Sequence, residues 1–80
     1  MRPFVTKPVV ARLLVKALTD TGKRFMHYEC TERTLQEVRI AAYAAADDVA
    51  LQHGVDRAAC ALAMAALLEV CTVNGTPVGQ

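Results

Sequence analysis

Eighty residues with nine Lys or Arg against eight Asp or Glu, a formal net charge of +1, fit one domain over 1–80 with a core near the lower limit of what folds unaided. A composition of 54% hydrophobic and 21% charged residues excludes a disordered or low-complexity tail. Cys30, Cys60 and Cys71 are an odd set with no CxxC pair. They argue against a zinc ribbon or a dithiol redox motif and for free, mostly buried thiols in a reducing compartment.

Met1 to Pro8 holds two prolines and little pattern, which reads as an arm or a short edge segment. It has no continuous apolar run, so a signal peptide is not expected and the cytoplasm is the expected location.

From Val9 to Cys30 two readings compete. In the first, residues 10–19 and 23–30 are strands joined by a tight turn at Asp20-Thr21-Gly22. Val15 then meets Tyr28 and Leu13 meets Cys30 on an apolar face, while Lys16 meets His27 and Leu18 meets Phe25 on the other. In the second, Pro8 opens a helix with Val9, Val10, Leu13, Leu14, Ala17 and Leu18 inward, Arg12, Lys16 and Thr19 outward, and Gly22 as its end. KRFMHYEC reads as a strand either way and a lone strand has no ladder partner, which favours the hairpin.

Thr34 to Gly54 reads as the central helix. Thr34 and Glu37 form a capping-box pattern, Leu35, Val38, Ala42, Ala45 and Val49 make a core stripe, and Gly54 is the natural stop. On its opposite face Ile40, Ala44 and Leu51 form a thinner apolar line beside Glu37, Asp47 and Asp48. Either Ile40 and Leu51 are tucked under the N-terminal segment or the tail, or this face is one on which a partner docks.

Asp56 suits the N-cap of a last helix from Arg57 to about Cys71, with Asn74-Gly75 beyond its end. Only Arg57 and Glu69 are charged in it, so its apolar surface runs nearly all the way round. It is too short to span a membrane, because about twenty apolar residues are needed. A homodimer contact or a partner groove on its uncovered side is the alternative to monomeric burial. The expected fold is therefore α+β, an N-terminal antiparallel β-hairpin packed on two helices (ββαα). The alternative is an all-α three-helix domain.

No catalytic constellation emerges. His27 and His53 lack further ligands at metal spacing, the cysteines sit in apolar contexts, and Asp47 and Asp48 diverge by about 100 degrees as helix neighbours. No glycine-rich phosphate loop, GxSxG or HExxH occurs. An enzyme, a metal site and a bound cofactor are not expected.

Charge is more telling when split. Residues 1–33 carry seven Lys or Arg against three acids, and residues 34–80 carry two against five. Direct nucleic-acid binding is disfavoured, since no helix offers the Arg, Lys, Asn and Gln set of a recognition helix. The expected contact residues are Glu37, Ile40, Asp47, Asp48 and Leu51 on the central helix, with Lys16 and Phe25 on the outer hairpin face.

KALTDTGKRFMHYEC followed directly by TERTLQEVRIAAYAAADDVALQHG, a hairpin feeding a long alanine-rich helix, resembles the layout of small anti-CRISPR proteins of bacterial phages and prophages. The resemblance covers residues 10–54 and is closest to inhibitors of type I systems. It implies a non-catalytic, stoichiometric inhibitor that binds the CRISPR surveillance complex (Cascade) in the host cytoplasm and blocks its target DNA. Glu37, Asp47 and Asp48 would then compete with phosphates for channel Lys and Arg. The alternative is a small dimeric, DNA-associated regulator or accessory protein of a mobile element, pairing through its last helix.

Overall fold

In a computed structural model that describes residues 7–79, the expected N-terminal hairpin is absent. The chain forms α1 (Lys7–Phe25), α2 (Glu32–His53) and α3 (Arg57–Glu69), followed by a small hairpin of β1 (Thr72–Val73) and β2 (Thr76–Pro77). This corrects the ββαα expectation and agrees with its three-helix alternative. Of the proposed N-terminal arm, residues 1–6 lie outside the described part, while Lys7 and Pro8 are already in the first turn of α1.

Local composition explains why α1 is a helix. Ala11, Leu13, Leu14, Lys16, Ala17 and Leu18 are strong helix formers, and Pro8 sits in the first turn, where a missing N–H costs nothing. Lys16 pairs with Asp20 one turn on at 3.0 Å, and the Thr21 hydroxyl donates back to the Ala17 carbonyl at 2.9 Å. Leu14 is fully buried and Phe25 nearly so, with Val10 and Leu18 packed beside them. Gly22 does not stop the helix, which runs one further turn and takes Lys23, Arg24 and Phe25 out of the predicted second strand.

A turn and short loop at 26–31 then feed α2, whose N-cap is Thr31, three residues before the predicted Thr34. The Thr31 hydroxyl accepts from the Thr34 amide, while the buried Thr34 hydroxyl donates to the Glu29 carbonyl at 2.6 Å. The core stripe begins as expected with Leu35, Val38 and Ala42, then continues through Ala46 and Ala50, with Ala45 and Val49 only half-buried. Gly54 ends α2 at φ 66°, its amide donating to the Ala50 carbonyl. Asp56 caps α3 by accepting from the Ala59 amide at 3.0 Å, and Cys60, Met64 and Leu68 form the buried stripe of α3.

Asn74 (φ 51°) and Gly75 (φ 85°) make the two-residue turn of the hairpin that does exist, with Thr72 opposite Pro77 and Val73 opposite Thr76. Two strands of this length are not stable alone. Packing supplies the rest: Val73 and Val78 are buried in the helical core, and each such side chain contributes about 1.5–3 kcal/mol. Arg39, Asn74 and Cys30 add hydrogen bonds to the Val78, Met26 and Val73 carbonyls, respectively. Gly79 passes so close to the end of α3 that a Cβ there would lie 2.5 Å from the Leu68 carbonyl oxygen.

Candidate functional site

The predicted contact residues divide among three places. Glu37, Ile40, Asp48 and Phe25 come together in one open groove of about 520 Å³ between α1 and α2, completed by Thr21, Arg24 and small residues of α2. Asp47 and Leu51 lie further along the outward side of α2. Lys16 does not join them: it is exposed on α1, paired with Asp20. Phe25 is not an outward-facing contact as expected, because its ring is buried at the floor of the groove. There Tyr28 packs against it at 5.0 Å and the Arg24 guanidinium covers it at 5.3 Å.

The outward face of α2 is built by helical spacing. Residues 33, 37, 40, 44, 47 and 51 alternate in steps of four and three, so Arg33, Glu37, Ile40, Ala44, Asp47 and Leu51 form one nearly straight line. Ile40 and Leu51 stand 63% and 64% exposed, against the reading that the N-terminal segment or the tail shelters them, residues 1–6 of that segment lying outside the described part. Glu37 is held 3.4 Å from Arg33. Asp47 receives two hydrogen bonds from Arg57 of α3, at 2.5 and 3.1 Å. Asp48, at the edge of the groove, has no ion-pair or side-chain hydrogen-bond partner among the described residues. The face is thus apolar at two points, acidic between them, and holds a carboxylate that nothing in the described fold consumes.

A second exposed apolar surface lies on α3. Leu62 is 73% exposed and Val70, just past the helix, 81%, with Ala58, Ala59, Ala61, Ala63 and Ala66 also open to solvent. The apolar circumference noted in the sequence is therefore only partly wrapped. On the α1 side it runs into an apolar groove of about 340 Å³ lined by Val10, Ala11, Leu14, Val55, Ala59, Cys60 and Ala63.

The reactive-group inventory is plain. Burial, with Asp56 and Asp47 nearby, pushes the Cys60 thiol up, and burial does the same to Cys71, so both are poor nucleophiles near neutral pH. His27 is exposed and His53 half-buried at the end of α2. No group of three His, Cys, Asp or Glu converges among the described residues. No helix among them is long and apolar enough to cross a membrane. Compared with known proteins, the chain matches no family model, no curated sequence and no solved structure.

Proposed function

We propose that this chain is a non-catalytic protein-binding inhibitor whose contact surface is the outward face of α2 together with its groove against α1. One observation carries the proposal: Ile40 and Leu51 stand exposed on a line whose other members include Glu37 and Asp47, with the unpartnered Asp48 alongside. Large apolar side chains provide contact area, and carboxylates select a partner surface rich in Lys and Arg.

A nucleic-acid channel of another protein is such a surface. The sharper form of the proposal is a stoichiometric inhibitor of a type I CRISPR surveillance complex that competes with target DNA. The hairpin layout that suggested this class is not formed, so its support is the acidic and apolar character of α2. Adding excess protein to a purified type I complex and following target-DNA binding by gel shift tests it. Inhibition that weakens with added salt and is reduced by Asp48→Asn or Ile40→Glu is expected. Unchanged DNA binding at saturating protein would refute this form.

One observation favours a second reading, a DNA-associated accessory protein. Arg12, Lys16 and Lys23 fall on one exposed stripe of α1 at spacings of four and seven, with only Lys16 neutralised by a neighbour. A shift of naked duplex DNA by the protein alone would favour this reading over the first.

A further inference from the structure

We infer that the chain pairs with a second copy of itself through the face shared by α1 and α3, on the side away from the acidic line of α2. The groove between them is lined by the first halves of both helices, Val10 to Leu14 and Ala59 to Ala63, so α1 and α3 run side by side in the same direction. Beside this socket, and one step round α3 from it, Leu62 projects 73% exposed. Knob and socket on one surface are what a two-fold, isologous contact requires: Leu62 of each copy enters the groove of the other.

Charge favours a second copy as the occupant. Val15, Ala11, Ala59, Leu62, Ala63, Ala66 and Val70 make up the exposed apolar face, and Glu69, seven residues on from Leu62, stands at its end. A two-fold axis perpendicular to α3, passing between Leu62 and the groove, runs the two copies of α3 antiparallel, which opposes their dipoles favourably. It carries Glu69, unpaired among the described residues, toward the positive N-terminal end of the other α3, with Arg57 there already held by Asp47. Asp56 at that end already accepts from the Ala59 amide. Pairing through α2 instead would bring the unpartnered Asp48 of one copy toward that of the other, a like-charge contact that costs stability.

Size sets the expected strength. Val15, Leu62 and Val70 are the only large side chains on this face among the described residues, so the contact belongs to the small class below about 1,200 Å², and the dimer should be weak and reversible. Small alanines on both helices allow close approach, as a contact of modest area needs.

Sedimentation velocity or gel filtration with light scattering on the full chain, from about 1 to about 300 µM, tests this. A reversible monomer–dimer transition is expected, shifted at least tenfold toward monomer by Leu62→Glu and by Ala63→Arg, which block knob and socket separately. Ile40→Glu, on the opposite side, should leave it unchanged, and far-UV circular dichroism of each variant checks that the helices persist. A monomer at the highest concentration, a dimer untouched by both α3-face variants, or one broken by Ile40→Glu would each overturn the inference. Because the α2 face is not involved, loss of dimerisation and loss of partner binding are separately readable.

Discussion

Arg39, midway along α2, donates through Nη1 to the Val78 carbonyl at 2.7 Å while its other terminal nitrogen meets Glu32 at 3.0 Å. One guanidinium thus ties the C-terminal hairpin to the start of the central helix, and its own side chain is only 25% exposed. A charged donor to a carbonyl beside a buried valine is among the stronger hydrogen bonds in the molecule. Replacing Arg39 by Met keeps much of the stem and removes the donors. The expected loss is about 1.5–3 kcal/mol, read as a lower denaturant midpoint with an unchanged m-value.

Gly22 lies inside α1 and has nothing within 4 Å of where a Cβ would sit. Its backbone is helical, so Gly22→Ala removes only the entropic cost of glycine. The variant should be stabilised by about 0.5–1 kcal/mol, raising the melting temperature by several degrees. A destabilised variant would contradict a continuous α1.

Leu14 and Leu62 separate core from surface. Leu14 is wholly buried, so Leu14→Ala should cost about 2–5 kcal/mol and leave the protein partly unfolded at 37 °C. Leu62→Ala should change monomer stability by less than about 0.5 kcal/mol, measured by urea denaturation at low micromolar concentration, where pairing is weak.

The Cys60 thiol, raised first by burial and then by Asp56 and Asp47, adds a pH dependence. A group whose folded-state pKa lies above its unfolded value contributes stability that is complete below the unfolded pKa and is lost as pH rises through the folded one. Stability should therefore hold through neutral pH and begin to fall above the ordinary thiol value of 9.0, where the unfolded chain ionises first. Cys60→Ala should flatten that alkaline decline relative to wild type, at the cost of a small cavity, in a pH series of urea midpoints. In native protein Cys60, 1% exposed, should react with a maleimide more slowly than Cys30 or Cys71.

How far residues announce structure varies along this chain. Helices α2 and α3 were legible because their ends carry specific chemistry: Gly54 in the left-handed conformation and Asp56 on the Ala59 amide. The start of α2 lies three residues before the Thr34 that the pattern indicates, because Thr31 and Thr34 both fit a cap. The loop hydrogen bond from Thr34 to the Glu29 carbonyl decides between them. Asn74-Gly75 reads from the helical pattern only as lying beyond the end of α3, although this dipeptide is also a strong short-range hairpin signal.

Of the binding surface, the acidic and apolar line on α2 followed from helical spacing alone, as did the excess apolar circumference of α3. Joining Glu37, Ile40 and Asp48 with Phe25 required knowing that α1 is a helix lying against α2. The unpaired state of Asp48 and the socket beside Leu62 likewise depend on which helices are neighbours.

Residues 9–25 mark the division. Their apolar positions are dense enough to satisfy periods of both two and 3.6, so by themselves they leave strand and helix open. By itself the sequence determined the two alanine-rich helices α2 and α3 and the apolar surface they leave over. The tertiary structure decided the rest, because a lone two-stranded ribbon has little to pack against, whereas a helical α1 sinks Leu14 and Phe25 into the core. That burial belongs to contacts far apart in sequence, which no local pattern encodes.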